Sequence, residues 1–203
     1  SPAFNLHRQD IRKAAGALLN GEDIPQKFIV AQHEPLVTFL SFSLIVNHHH
    51  FLLVPNVEGG ISKYLQKVHG GFAKYFNLKY SRKDVLFERQ SKIIPIQNNF
   101  QLDAVINYIN VKNPLDVFQP RWRERGLKGS WQEAFKFLEN YQFSSFPDLF
   151  GKRNSKISPQ KTILEKYLGR EITTNQAEFV NFVKKYLQGS LTQYRPYFLE
   201  ETS

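Results

Sequence analysis

The sequence predicts an α+β or α/β core followed by a helical C-terminal appendage. An alternating apolar run typical of a β-strand covers residues 36–54, and residues 61–76 and 101–111 carry apolar side chains at helical spacing. Further helical periodicity extends from residue 157 to residue 188. Strands mixed with helices in this order are typical of a fold in which helices pack on a sheet.

Composition excludes several classes of protein. Apolar residues make up 41% of the 203 residues and aromatic residues 14%, which argues against intrinsic disorder. The chain has no cysteine, so disulfides, thiolate metal sites and a cysteine nucleophile are excluded. The longest apolar run, residues 36–46, is too short to span a bilayer, and no signal segment is found at the N-terminus. We therefore expect a soluble intracellular protein, and the absence of Met, at position 1 included, favours a trimmed chain.

The charge balance predicts a polyanionic partner. Lysine and arginine together number 27 against 18 aspartates and glutamates, which gives a net charge of +9. A surplus of this size favours nucleic acid as the partner, with an acidic membrane surface as the second choice.

The first half of the chain is predicted to hold a basic helix, a long strand and a second helix. Residues 5–19 have apolar side chains at helical spacing, and Gly21 and Pro25 end that helix. The strand at 36–54 is expected to continue without a break through three consecutive histidines. The helix at 61–76 has one apolar stripe, and two glycines in its middle favour a close backbone approach.

The second half is predicted to be mostly helical. Residues 79–92 are densely basic and are expected to form a strand or loop that faces the polyanion. A helix at 101–111 has a core stripe and is expected to end at the Asn113-Pro114 pair. Further helices are predicted at 131–140, 159–168 and 176–187.

One spot in the sequence is chemically unusual, the run Asn47-His48-His49-His50. If the strand continues, His48 and His50 project from the same face about 7 Å apart at Cα, while His49 points to the other face. Two imidazoles on one strand face can share a divalent cation, and Mg²⁺ or Mn²⁺ suits a site whose remaining ligands are substrate oxygens. The alternative is a polar strand end with three solvated histidines.

The histidine run lies in a segment that resembles a known family. F-S-L-I-V-N-H-H-H-F-L-L-V resembles the N-H-x-H-L-L-L strand of the HUH single-tyrosine transposases, and more particularly their REP-associated, insertion-sequence-like branch. Four more segments resemble motifs of that family, in the family's order: I-S-K-Y-L-Q-K-V-H-G-G-F-A-K-Y-F-N, D-V-L-F-E-R-Q-S-K, I-N-Y-I-N-V-K-N-P-L-D and F-S-S-F-P-D-L-F-G. The resemblance covers about residues 36–151, slightly more than half of the chain.

The resemblance implies a ferredoxin-like antiparallel sheet with packed helices in residues 1–151 and a helical C-terminal extension at 152–203. Family members cut single-stranded DNA at hairpin-flanked sites and rejoin it through a 5′-phosphotyrosine, using a divalent metal, Mg²⁺ or Mn²⁺. By position, the metal ligands are His48 and His50 and the catalytic nucleophile is Tyr108. The implied location is the cytoplasm of a prokaryotic cell, at the nucleoid, and family members occur as homodimers and as monomers.

The residues around Tyr108 agree with this motif in part. At 100° per residue, Tyr108 lies roughly 110° from the centre of the apolar stripe of its helix, so we expect it beside the core edge, facing a cleft. Tyr64 and Tyr75 are the alternative nucleophiles. Five residues separate Tyr108 from Pro114 where the family has four. Lys112 stands where relatives carry a polar metal ligand, and an ammonium group cannot ligate.

Other parts of the family pattern are also incomplete. Asn110 or Asn113 could supply an oxygen to the metal, although neither has the expected spacing. The opening strand of the family is not found before Leu36, which a trimmed chain would explain.

Basic side chains are predicted to bind the DNA backbone in contacts that weaken as salt rises. These residues are Lys63, Lys67, Lys74, Lys79, Arg82, Lys83, Arg89 and Lys92, with a further cluster at 121–125. Interleaved aromatic residues are expected to stack on unpaired bases: Tyr75, Phe76, Tyr80, Phe87 and Trp122. The alternative is that the charges are solvated faces and the aromatic residues belong to the core.

Two functions remain open at this point. The first is metal-dependent nicking and rejoining of single-stranded DNA. The second is a domesticated relative that binds hairpin DNA or RNA without cutting it. A replication initiator or relaxase is disfavoured, because such proteins usually have longer chains and another order of motifs.

Overall fold

The computed structural model describes residues 35–87, 91–150, 153, 161–172, 175, 177, 178, 180, 181, 183 and 184. The predicted helix at 5–19 and most of the one at 176–187 lie outside these residues, as does Arg89. The chain divides into two compact units: unit 1 takes the residues up to Thr38 with Val54–Ser91, and unit 2 takes Phe39–Leu53 with the residues from Lys92 onward.

The described elements combine a small sheet with helices, which confirms the predicted α+β class. They are β1 (Val37–Leu44), β2 (His49–Pro55), α1 (Gly60–Lys79), α2 (Asn99–Asn107), a π-helical segment (Tyr108–Lys112), α3 (Asn113–Phe118), α4 (Trp122–Arg125), α5 (Trp131–Asn140), α6 (Phe146–Leu149) and α7 (Lys161–Leu168). Among the described residues the sheet has two antiparallel strands, so the four strands of a ferredoxin-like arrangement stay a prediction. In that same part of the chain, no helix has the length and apolarity needed to cross a membrane.

The predicted continuous strand is wrong, because the chain turns back between β1 and β2. The backbone N–H of Ile45 donates to the carbonyl oxygen of His48 at 2.9 Å, which closes a tight turn. Val46 stands at the tip and is 93% exposed. No glycine or proline marks this turn in the sequence, so alternation alone did not reveal it.

The free edge of β1 in unit 2 is paired with the segment that precedes α6. Leu44 N–H donates to the Phe143 carbonyl at 2.7 Å, and Ser145 N–H donates to the Phe42 carbonyl at 2.9 Å. The backbone at residues 143–145 therefore satisfies polar groups that an open strand edge would leave to solvent. This pairing fixes two consecutive serines against the sheet.

Unit 1 is built around α1, which begins one residue earlier and ends three residues later than predicted. Gly59 precedes it with a φ of 67°, a left-handed conformation that favours glycine. The expected close approach at Gly70 and Gly71 is wrong, since both are exposed and no described atom lies within 4 Å of a Cβ added there. The close approach is at Gly60, where an added Cβ would lie 2.3 Å from the carbonyl oxygen of Leu36.

Gly60→Ala is therefore expected to destabilise the protein by about 1–3 kcal/mol, because the new methyl group must displace backbone. Gly70→Ala, in the same helix, is expected to stabilise it by about 0.5–1 kcal/mol through the higher helix propensity of alanine. Thermal unfolding followed by circular dichroism would measure both. Equal shifts in the two variants would contradict the assigned contact.

Unit 2 is built around one long helix that comprises α2, the π-helical segment and α3. Every residue from Ile106 to Leu115 is buried. The predicted stop at the Asn113-Pro114 pair is wrong, because the helix continues to Phe118. Proline is tolerated here since it lies in the first turn of α3, where the hydrogen-bonding pattern changes from π to α.

Two further helices of unit 2 were predicted from the sequence, whereas the short helices α4 and α6 were not. α5 has the predicted bounds and begins with a capping box between Ser130 and Glu133. The helix predicted at 159–168 is described as α7, Lys161–Leu168. Residues 80–87, in unit 1, form turns and irregular backbone after α1. Of the two forms expected for this basic stretch, a strand or a loop, these residues adopt the loop.

Candidate functional site

His48 and His50 lie together at the start of β2. Their rings are 5.0 Å apart at the centroids and nearly perpendicular, at 87°. His50 is buried and His48 is half-buried. A contact of 2.7 Å joins His48 Nδ1 to Asn47 Oδ1, which orients the His48 ring. His49 instead contacts Phe51, at 4.7 Å between centroids.

The separation of the two histidine rings is close to that of two imidazoles that share one cation. With a metal–nitrogen bond of about 2.1 Å, two imidazoles on one ion have centroids about 4–5 Å apart, close to the observed 5.0 Å. Within the described ranges, however, no three histidine, aspartate or glutamate side chains form a group that could hold a metal ion. The pair would therefore need oxygen ligands from substrate or water.

Tyr108 lies next to this pair, at the start of the π-helical segment. Its ring is 5.1 Å from the His50 ring at the centroids, edge to face at 88°. The expectation that Tyr108 faces a cleft is wrong, since only 4% of the residue is exposed. The reason is that its helix is enclosed on all sides and not along one stripe.

Lys112 packs on the other side of the tyrosine. Its Nζ lies 4.1 Å from the centroid of the Tyr108 ring, a cation–π contact. The side chain is 1% exposed. The π-helical segment thus begins with a tyrosine and ends with a lysine, and both lie in the core of unit 2. Such segments are frequent at functional sites.

A buried hydrogen-bond network joins this helix to the sheet. Asn110 donates from its amide nitrogen to Ser41 Oγ at 2.7 Å and to the Ile106 carbonyl at 2.9 Å. Ser145 Oγ donates to Asn110 Oδ1 at 2.6 Å and lies 2.9 Å from Ser41 Oγ. All three polar residues are fully buried, so the network fixes the position of the π-helical segment.

The two asparagines that could supply an oxygen to a metal differ in their hydrogen bonds. The carbonyl oxygen of Asn110 already accepts a hydrogen bond from Ser145, which argues against metal ligation. Asn113 is 1% exposed, and its side-chain amide makes no hydrogen bond to any residue in the part of the chain that the structure describes. An amide buried in this way needs an explanation beyond packing.

The alternative nucleophiles lie on α1 in unit 1. Burial raises the pKa of Tyr64 to about 12. The hydroxyl of Tyr75 accepts a hydrogen bond from Lys79 Nζ at 3.3 Å. This hydrogen bond makes the largest contribution to the raised pKa of Lys79. The ring of Tyr108 contacts the ring of His50.

Basic side chains predicted to bind DNA lie on the surface of unit 1. Lys63, Lys67 and Lys74 share one face of α1, because spacings of four and seven residues bring side chains to the same side of a helix. Lys79, Arg82 and Lys83 follow at its C-terminal end and are exposed. Lys92 is exposed too but belongs to unit 2.

Aromatic rings accompany these charges at the end of α1. Tyr80 lies 4.5 Å from Phe76 at the centroids and is 55% exposed. Lys79 Nζ lies 5.6 Å from the Tyr80 ring, and the Arg82 guanidinium lies 5.7 Å from the Phe76 ring. Phe72, 5.9 Å from Phe76, is 49% exposed. Exposed rings held beside cations suit the stacking of unpaired bases.

Two other aromatic residues that were predicted to stack on bases are less exposed than the most exposed rings at the end of α1. Trp122 is 3% exposed, donates from Nε1 to the Lys112 carbonyl at 3.4 Å and packs against Trp131, so the expected base stacking there is wrong. Phe87 stacks on His69 at 4.4 Å and is half-buried. Burial lowers the pKa of His69, which keeps that imidazole neutral at physiological pH.

Sequence reasoning missed Ser41, Ser145 and the placement of Lys112. The signal for the serines was present, since Ser41 and Ser43 occupy one face of the strand and both are fully buried. Polar residues on a strand face are buried when partners on other elements satisfy them, and those partners cannot be identified from one sequence. In comparisons with known proteins, no family model, curated protein or solved structure matches the chain.

Proposed function

We propose that the protein nicks and rejoins single-stranded DNA, with Tyr108 as the nucleophile. The observation that supports this function best is the ring cluster in unit 2. The His48 ring contacts the His50 ring, and the His50 ring contacts the Tyr108 ring. Such a cluster combines a cation-binding pair with a group able to form a covalent intermediate. The resemblance to the HUH single-tyrosine transposases assigns the same three residues.

In the proposed step, the phenol oxygen of Tyr108 attacks the phosphorus atom of a DNA phosphodiester. The bond from phosphorus to the 3′-oxygen breaks, the phenol proton passes to water, and the 3′-oxygen takes up a proton from water. The products are a 5′-phosphotyrosine and a free 3′-hydroxyl. Because the bond energy is kept in the intermediate, an incoming 3′-hydroxyl can reverse the step and rejoin the strand without a nucleotide cofactor.

The histidine pair would hold Mg²⁺ or Mn²⁺. A cation bound there would supply charge to a non-bridging phosphate oxygen, which assists attack by a weak nucleophile such as a phenol. For its part, His50 also orients Tyr108, since the two rings meet edge to face. The hydrogen bond of His48 to Asn47 fixes the other ring.

The surface at the end of α1 would bind the strand itself. Its exposed cations neutralise phosphates, and the half-exposed rings of Phe72 and Tyr80 accept unpaired bases. Binding should therefore weaken as salt rises.

One observation favours the second candidate, a relative that binds hairpin DNA or RNA without cutting it. Tyr108 is 4% exposed, so cleavage requires the residues that cover it to move when DNA binds. A protein that only binds would have no need for that movement. The surface at the end of α1 serves both functions equally.

The function is tested with a pool of hairpin-flanked single-stranded oligonucleotides that carry randomised flanks and a 3′ label. With Mn²⁺, we expect a covalent protein–DNA adduct that survives a denaturing gel, because the 3′ fragment stays on the tyrosine. Chelation by EDTA should remove it. The same pool labelled at the 5′ end should yield a free, shortened strand. Shifted DNA without an adduct, equal in wild type, His48→Ala and His50→Ala, would establish the binding function instead.

A further inference from the structure

Four aromatic rings form a continuous row on the surface of unit 2, which we call the aromatic row. Phe118 lies 5.0 Å from Phe137 between ring centroids, and Phe137 stacks on Tyr141 at 5.2 Å. Tyr141 then meets Phe143 edge to face at 5.9 Å. The two end rings are exposed, Phe118 by 37% and Phe143 by 50%. Contiguous apolar side chains that stay exposed indicate a surface that binds a partner.

One end of the aromatic row lies at the turn that carries His48. The hydroxyl of Tyr141 donates to the Leu44 carbonyl at 2.7 Å, and the N–H of Leu44 donates to the Phe143 carbonyl at 2.7 Å. The turn closed by Ile45 and His48 begins at the next residue. A DNA strand whose phosphate lies at the candidate site would therefore find exposed rings beside it in the same unit.

The other end of the aromatic row lies beside a basic segment. Gln119, which follows Phe118, donates from Nε2 to the Gly126 carbonyl at 2.7 Å and accepts from the Lys128 N–H at 2.8 Å. These bonds hold the segment against the end of α3. Such cations complement the phosphates of a nucleic acid, which decides for that partner over an uncharged apolar one. Among the side chains that the structure describes at 119–128, the exposed charges are three cations and one carboxylate: Arg121, Arg125, Lys128 and Glu124.

We propose that the aromatic row binds unpaired bases of the strand that is nicked: its rings stack on the bases, and the cations of the basic segment bind the adjoining phosphates. The proposal rests on the nicking function and adds a binding site in unit 2, distinct from the surface at the end of α1 in unit 1. Stacking of this kind is insensitive to sequence, because every base has a π-face. It needs a single strand, because the bases of a duplex are paired and stacked on one another.

The inner rings hold the end rings in place. Phe137 and Tyr141 are half-buried, the first within α5 and the second through its hydrogen bond to Leu44. Rings that are fixed before binding lose little conformational freedom when a base stacks on them. The two end rings are accordingly expected to contribute most to binding.

The test removes one end ring at a time and keeps an apolar side chain, with Phe118→Leu and Phe143→Leu. Tyr167→Leu is the matched control, because Tyr167 is 43% exposed on α7 of the same unit. All three full-length variants also carry Tyr80→Leu, which reduces stacking at the end of α1. Fluorescence anisotropy in EDTA measures their affinity for oligothymidine and for an abasic strand of the same length, and thermal unfolding verifies that they fold.

A second measurement needs no variant. The wild-type protein is irradiated in EDTA with a single strand that contains 5-iodouracil, a base that crosslinks to aromatic side chains stacked on it, and mass spectrometry locates the crosslinked residues. We expect crosslinks at Phe118 or Phe143. Crosslinks absent from both end rings would overturn the proposal.

We expect each end-ring variant to bind oligothymidine at least about fivefold more weakly than the Tyr167→Leu control, with equal affinity for the abasic strand. Unchanged affinity for oligothymidine in either variant would overturn the proposal. A dimer that both substitutions dissociate, with unchanged DNA affinity, would assign the aromatic row to a second copy of the chain instead.

Failure of the nicking function can be told apart from failure of this site. EDTA prevents nicking, so affinity and crosslinking report on the aromatic row alone. A wild-type protein that forms no adduct with Mn²⁺ rejects the nicking function, while weaker binding by the end-ring variants still supports the site. An adduct together with unchanged affinity in those variants rejects the site and leaves the nicking function in place.

Discussion

Tyr108→Phe is expected to form no covalent adduct under conditions in which the wild-type protein does. The substitution removes the attacking oxygen and keeps the ring that contacts His50 and Lys112. The packing of unit 2 should therefore persist, and thermal unfolding should change little. DNA binding should also remain, because the basic and aromatic surface lies in unit 1. A denaturing gel for the adduct and a native gel for binding measure the two effects separately.

Two other tyrosines serve as matched controls for this result. Tyr64→Phe should leave adduct formation unchanged, because the proposed nucleophile is Tyr108, whose ring contacts His50. Tyr75→Phe should also form adduct, although it loses the hydrogen bond from Lys79. An adduct that persists in Tyr108→Phe and disappears in either control would move the nucleophile to α1.

Asn110→Ala is expected to destabilise the protein by about 2–4 kcal/mol, which corresponds to a fall of about 5–15 °C in Tm for a chain of this size. The side chain makes three hydrogen bonds in the core, to Ser41, to the Ile106 carbonyl and from Ser145. Its removal leaves buried polar groups unsatisfied and opens a cavity. Thermal unfolding by circular dichroism measures the change.

Asn140→Ala provides the comparison, because Asn140 makes the same kind of bond to the carbonyl four residues earlier but is exposed. We expect a change within about 0.5 kcal/mol there. A double-mutant cycle of Asn110→Ala with Ser145→Ala should show a coupling energy of about 0.5–3 kcal/mol. Additive effects, or equal losses at the two asparagines, would mean that the network contributes little.

The helices could be predicted from the sequence wherever one face is apolar. α5 is an example, since its apolar residues recur at helical spacing and Ser130 caps its start. The turn before β2 was not predicted, because it contains neither glycine nor proline and the alternation continues on both sides of it. Register in a strand depends on what the strand packs against, and a single sequence does not state this.

The residues of the candidate site were named from the sequence, but their burial was not predicted. The pairing of His48 with His50 follows from their spacing. The contact of His50 with Tyr108 joins residues far apart in the chain, and only the resemblance grouped them beforehand. The burial of Tyr108 was missed because only one apolar stripe of the helix was expected to be buried, and Tyr108 lies roughly 110° from its centre. Polar residues can be core residues when other polar residues satisfy them, and the partners of Asn110 lie on other elements.

The π-helical segment also determines how this helix can change in length. The N–H of Asn113 donates to the carbonyl of Tyr108, five residues earlier, so the helix contains one residue more than α-helical bonding needs. The proposed relatives have one residue fewer between their tyrosine and proline than the five found here. A deletion within this turn would restore regular α-helical bonding while α2 and α3 keep their faces. Both lengths are therefore compatible with the same packing of α2 and α3. An insertion beside the nucleophile can be accommodated without rotating either helix against its neighbours.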